Sequence, residues 1–282
     1  MQERRRKKTD KVAILVVSHN NPELTNSLCS DIIKNTKNVS YDLHVIETGS
    51  DIKLLSDHTT LWVGDGCRMT RGFNHLKRYA DSVLSYTSEE QYDAYMLFVN
   101  DAKFIENQDM VSVLYEELKK HPDCGQIHPY QENIYQPHDR LGRLTEGLTR
   151  KESFSEIICP MISADAWEKC GENLLDDIFY YGWGLDYDIP YQMHTNGYRC
   201  YITDKVGVFH QPFTSYRESH ITKEKLKQQE FIGLARENMH NGFIHKYGHG
   251  WMQTLMDAVP PDVSKEALYL WLYMNDGFRG TI

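Results

Sequence analysis

Asp186 and Asp188 follow a Gly182-Trp183-Gly184 loop, and His210 closes the apolar run Val206–Phe209 further along. A positioned aspartate can take the proton of an attacking hydroxyl as a bond forms. Asp101 ends another apolar run, Ala94–Val99. An unpaired carboxylate is costly at the end of a buried strand, but it suits a hard divalent cation, which favours carboxylate oxygens. Arg68 and Arg71 stand after Gly64-Asp65-Gly66 at the start of a helical pattern, where cationic side chains and free backbone N–H groups suit a diphosphate. Taken singly, each residue has a structural reading: Asp188 as a helix cap, Asp186 as a solvated loop residue, His210 as a strand-end histidine. Together they describe acid–base and metal chemistry on a phosphorylated substrate.

Several elements must position these groups. Val12–Val17 is an unbroken apolar run, suited to a parallel strand buried on both faces. Asn21 then reads as an N-cap and Pro22 as the first residue of a helix carrying Leu24, Leu28 and Ile32. Leu43–Ile46 and Leu61–Val63 read as strands, residues 68–86 and 110–120 as helices, and Ala94–Val99 as a central strand. Ser163 to Gly171 reads as a short capped helix. Pro190 marks the start of another helix, stopped by Asn196-Gly197. Tyr198–Ile202 and Val206–Phe209 read as two strands, and Thr222–Met239 and Lys265–Met274 as late helices. Strand–helix–strand order argues for an open α/β sheet with ligands at the carboxyl ends of its strands.

The totals narrow the function classes. The chain has 282 residues, with 40% hydrophobic and 25% charged residues, an ordinary soluble composition. A net charge of -9 speaks against bulk nucleic-acid binding. No run reaches the roughly 20 apolar residues of a membrane span, and the basic start has no apolar signal core. Six scattered cysteines without a Cys-x-x-Cys suggest reduced, buried thiols. A cytoplasmic protein is therefore expected, with peripheral contact at the inner membrane face open to the basic cluster Arg4–Lys8. The first apolar strand is followed by Ser-His-Asn-Asn-Pro and lacks the glycines of a dinucleotide fingerprint.

The order of Val-Val-Ser-His-Asn, Val-Ile-Glu-Thr-Gly-Ser-Asp, Arg-Gly-Phe-Asn, Phe-Val-Asn-Asp and Gly-Leu-Asp-Tyr-Asp resembles that of the family 2 glycosyltransferases over roughly residues 11–212. Gly-Trp-Gly-Leu-Asp-Tyr-Asp is also similar to the Gly-Trp-Gly loop of metazoan galactosyltransferases. The resemblance implies an α/β fold of GT-A type: a mostly parallel open sheet flanked by helices. A disordered basic arm at 1–10 and a helical C-terminal extension at 213–282 would flank it. It places Ser18, Asn20 and Glu47 beside the nucleoside, and Arg71, Asn74, Asn100 and Trp183 along the rest of the donor. It makes Asp101 the surviving acid of an Asp-x-Asp metal motif, here Val99-Asn100-Asp101, and His210 a further ligand for Mn2+ or Mg2+. Asp186 matches the catalytic base and Asp188 a supporting acid.

The implied activity is inverting transfer of a sugar from a UDP-, dTDP- or GDP-linked donor to a hydroxyl of a glycan or lipid-linked acceptor. Two other readings follow from the same residues. The incomplete metal motif suits a non-catalytic sugar-nucleotide or glycan-binding module. Transfer to modified DNA bases has only the basic N-terminus in its favour.

Overall fold

A computed structural model describes residues 7–64, 67–88, 90–105, 107–132, 141–210 and 228–274. The strands are β1 (Lys7–Lys8), β2 (Lys11–Ser18), β3 (Ser40–Thr48), β4 (Leu61–Val63), β5 (Glu90–Gln91), β6 (Ala94–Val99), β7 (Ala102–Phe104), β8 (Cys124–Gln131), β9 (Thr149–Glu152), β10 (Met161–Ser163) and β11 (Arg199–His210). The helices are α1 (Pro22–Asn35), α2 (Met69–Thr87), α3 (Met110–Lys120), α4 (Ala164–Cys170), α5 (Leu185–Thr195), α6 (Gln228–Tyr247), α7 (Trp251–Ala258) and α8 (Glu266–Tyr269).

Nine strands form one open sheet in the order β4-β3-β2-β6-β10-β8-β11-β7, with β9 also on β11. The β4-β3-β2-β6 half is parallel. Beyond it, β10 runs antiparallel to both β6 and β8, and β11 is parallel to β8 but antiparallel to β7 and β9. β2 shows why the central strands are so apolar. Its side chains alternate between faces: Ala13, Leu15 and Val17 join one core, and Val12, Ile14 and Val16 the other. With helices on both faces, no position of such a strand remains for a polar residue.

α1 and α3 supply the second core through Leu28, Ile32, Leu114 and Leu118. The first core takes Phe73 and Leu76 of α2, Leu185 and Met193 of α5, and also Met239, Phe243, Trp251 and Leu268 from the C-terminal helices. Residues 228–274 are therefore bound into the same core as the sheet. No helix among the described residues is long and apolar enough to cross a membrane.

Three expectations need correction here. Tyr198–Ile202 and Val206–Phe209 are one continuous strand, β11, whose register against β8 slips between Thr203 and Gly207. That irregularity is what the polar Thr203-Asp204-Lys205 interruption betrays in the sequence. Lys7 and Lys8, expected in a disordered arm, pair in parallel with Glu90 and Gln91; Arg4–Arg6 lie outside the described residues. The late helix runs on past Met239 to Tyr247; of its expected start, 222–227 lie outside the described residues.

Candidate active site

Asp101 and His210 meet because of strand order. The turn Asn100-Asp101 leads into β7, and β7 pairs antiparallel with the end of β11, His210 opposite Ala102. His210 Nε2 then lies 3.5 Å from Asp101 Oδ1. Burial alone would push the His210 pKa down, but the Asp101 hydrogen bond and the carboxylates of Glu156 and Asp186 outweigh it and raise it. Among the described residues no group of three or more histidine, cysteine or acidic side chains could hold a metal. The pair offers one carboxylate and one imidazole. That fits an ion whose remaining positions come from substrate phosphates and water, as is usual for magnesium.

Asp186 is near enough to the same pair for its carboxylate to raise the His210 pKa. α5 begins at Leu185, with Gly184 as its cap residue at φ 103. That is left-handed backbone, which glycine adopts without strain. A Cβ there would also meet Phe179 at 2.6 Å. The tight turn places Asp186 in the first helical turn, half-buried, where its Oδ1 accepts from the Ile157 N–H at 2.7 Å. Burial, then the nearby Glu156 carboxylate, push its pKa up to about 8. A carboxyl poised this close to neutrality is suited to general-base work.

Glu156 was not singled out in the sequence. It lies on the connection between β9 and β10, and its Oε2 accepts from Gln131 Nε2 at 2.7 Å. Burial raises its pKa, against the opposing charge of His210. Its only sequence signal is an acid in the mostly apolar run Phe-Ser-Glu-Ile-Ile-Cys.

Asp188 does not belong to this cluster. The helix expected to start near Pro190 starts five residues earlier at Leu185, so Pro190 is inside it and Asp188 is not its cap. Asp188 is fully buried. Its carboxylate accepts from Gln192 Nε2 at 2.6 Å, from Lys246 Nζ at 2.9 Å and from the Tyr247 hydroxyl. Burial raises its pKa against those partners. The supporting acid is thus a fastening between α5 and α6.

Solved structures of known proteins share this architecture, although no family model matches the chain and no curated protein sequence does. A crystal structure of GalNAc-T7 with UDP, GalNAc and Mn2+ superposes with a TM-score of 0.51 at 12% identity, covering 71% of this chain and 43% of that one. This chain thus spans less than half of the GalNAc-T7 chain. S. aureus TarS 1-349 in complex with UDP gives a TM-score of 0.51 at 9% identity, covering 96% of this chain and 75% of that one. The fold is shared with GT-A glycosyltransferases.

On this GT-A scaffold the remaining expected donor residues fall into two groups. At the ends of β2, β3 and β6 they are braced beneath the surface. Thr25 Oγ1 donates to Ser18 Oγ at 2.7 Å, and Asn100 Nδ2 donates to Thr25 Oγ1 at 3.2 Å. Ser18, Thr25 and Asn100 are all buried. Glu47, expected to offer an oxygen to a nucleobase, is fully buried with both oxygens used by its own loop. Ser50 Oγ donates to one at 2.6 Å and the Ser56 N–H to the other at 3.1 Å. Asn20, at φ 49, joins the same loop. Its N–H donates to Ser50 Oγ at 3.0 Å, and its Oδ1 accepts from the Asp51 N–H at 2.8 Å.

The second group lines the start of α2. Gly72 lets this helix lie close to the strands, since a Cβ there would meet Thr48 Cγ2 at 3.0 Å. Arg71 Nε bonds Asp177 Oδ2 at 3.1 Å, and Asn74 Nδ2 bonds Leu175 O at 2.7 Å. Arg68 lies over the rings of Tyr180 and Tyr181. Trp183 packs, partly exposed, against the first core. A cavity of about 610 Å³ between α2 and α4 is lined by Asn74, Lys77, Tyr95, Trp167 and Asp177. Neither Asp186 nor His210 lines it.

Proposed function

We propose that this protein transfers a sugar, with inversion, from a nucleotide-diphosphate donor to a hydroxyl of a glycan or lipid-linked acceptor. The observation that carries the reading is the convergence of Asp186 with the Asp101–His210 pair, from separate elements, on a GT-A scaffold. The family 2 order of motifs supports the inverting mechanism, and the UDP in both solved structures supports a uridine donor.

Asp186 takes the acceptor hydroxyl proton as the oxygen attacks the anomeric carbon. Gln131 holds the Glu156 carboxylate and the Ile157 N–H holds that of Asp186. Asp101 and His210 would hold Mn2+ or Mg2+, whose chemistry is to neutralise charge on the departing diphosphate. Arg71 and the N-terminus of α2 would lend positive charge to the same leaving group. The braced loop of Asn20, Glu47 and Ser50 shapes the nucleoside side.

The reading is tested by incubating the protein with UDP-, dTDP- and GDP-sugars, with manganese or with EDTA, and following transfer or donor hydrolysis. Turnover of one donor supports it; a donor that binds without any turnover favours the sugar-nucleotide-binding module. UDP should raise the melting temperature more with manganese than with EDTA. Equal stabilisation in both would remove Asp101 and His210 as metal ligands.

A further inference from the structure

Lys246 of α6 touches both ends of the segment that carries the candidate base. Its Nζ lies 3.1 Å from Asp176 Oδ2 and 2.9 Å from Asp188 Oδ2. Between those two aspartates run Asp177, the Gly182-Trp183-Gly184 turn and Asp186. The Tyr247 hydroxyl adds a second hydrogen bond to Asp188. Asn238 Nδ2, also from α6, donates to Ile178 O at 3.0 Å. Phe243 packs on Phe179 and Tyr187, with ring centroids 4.8 and 5.9 Å apart. From the opposite side, Thr70 of α2 donates to Phe179 O at 2.5 Å. The segment is thus gripped between α2, which carries Arg71 and Asn74, and α6.

We propose that Lys246, with Tyr247, is a positioning residue for Asp186: it pins the 176–188 segment at both ends and so fixes the candidate base against the donor side. The proposal rests on the glycosyltransferase reading for its catalytic consequence, but not for the clamp itself. The physical reason is economical geometry. A single ammonium between two carboxylates joins residues twelve apart in sequence, and closing a loop at its ends removes most of the ways it can move. A hydrophobic contact at the same place would hold the segment without fixing its register, whereas an ammonium between two acceptors fixes the distance of each from α6.

The test uses the full chain and three variants. Lys246→Met keeps an apolar stem and removes the ammonium, Lys246→Arg keeps the charge, and Tyr247→Phe removes only the hydroxyl. Amide hydrogen exchange is read at Gly182, Tyr187 and Asp188, whose N–H groups bond within the segment, and at residues 12–17 of β2 as a control. Lys246→Met should speed exchange in the segment about tenfold or more while leaving β2 unchanged. It should lower kcat by up to about 10²-fold, the scale of a small misplacement, with donor KM nearly constant. Lys246→Arg should recover most of both effects, and Tyr247→Phe should show the same pattern at smaller size, which also decides the matter if Lys246→Met does not fold. Unchanged exchange in the segment, or equal acceleration in β2 with Lys246→Arg no better, would overturn the clamp. If the parent protein turns over no donor, the catalytic reading fails on its own, and the exchange pattern still decides whether the clamp exists.

Discussion

At the ends of β2 and β3, every one of these polar side chains has a partner: Glu47 in Ser50 and the Ser56 N–H, Asn20 in the Asp51 N–H, Ser18 in Thr25. Around the start of α5, three carboxyls gather about one imidazole. Asp186 and Glu156 share one neighbourhood with His210, and both have raised pKa values. The first region behaves as a platform whose polar groups support one another. The second holds carboxyls whose ionisation is disfavoured, and groups perturbed in this way concentrate where proton transfer is done. Fixed shape on one side and a poised carboxylate on the other suit a site that must bind tightly and react selectively.

The largest effect that would sharpen this contrast is Asp186→Asn. It should lower transfer by about 10²–10⁴, the worth of a positioned general base. Because it removes a carboxyl that must take up a proton on folding near neutral pH, it should leave the melting temperature unchanged or raise it. Near-normal turnover would take the base assignment away from Asp186.

Asp188→Ala should do the opposite. Gln192, Lys246 and Tyr247 all lose a buried acceptor, and the Lys246 ammonium keeps only Asp176, at a cost of about 3–5 kcal/mol. Chemical denaturation measures it, and a cost under about 1 kcal/mol, the level of an exposed pair, would reduce the fastening to a surface contact.

Glu47→Ala should cost about 1–3 kcal/mol, because Ser50 and Ser56 lose a buried acceptor. Donor affinity in calorimetry should fall with little change in turnover at saturating donor. A fall in turnover alone would move Glu47 from the platform to the reacting side.

The smallest effect is on pH. The folded pKa of Asp186, about 8, lies above its ordinary 3.8. Between those values the folded state holds a proton that the unfolded state has lost, so Asp186 makes stability fall as pH rises. That slope should vanish in Asp186→Asn. Transfer by the parent protein should rise through about pH 8 as Asp186 ionises. Glu156→Gln removes a neighbouring negative charge and should move this limb to lower pH. A limb that stays in place would mean that the two carboxylates do not sense one another.

Much of the frame was readable because it depends on short-range chemistry. Asn21 and Pro22 start α1 as a cap and a first-turn proline would, with Asn21 accepting from the Leu24 N–H. Val12–Val17 had to be a central strand because both of its faces are apolar. Asp101 and His210 could be picked out because each ends a buried apolar run, where a charge requires a purpose. Gly182-Trp183-Gly184 signalled a tight turn before Asp186.

Other decisions depended on residues far apart in sequence. Pro190 suggested a helix start, but Gly184 with positive φ already turns the chain, and the core contacts of Leu185 and Tyr187 extend the helix back over the proline's signal. Asp188 satisfies every rule for a cap, yet its partners are Lys246 and Tyr247 on a helix that only tertiary packing brings near. Glu47 sits at a strand end where a ligand contact was a fair expectation, but Ser50 and Ser56 fold back to use both of its oxygens. Glu156 offered no periodicity to read and acquires meaning only beside Asp186. Local propensity and burial could be read from the chain because they act over a few residues. The partner of each charge could not, because in a buried site that partner is set by which elements pack together.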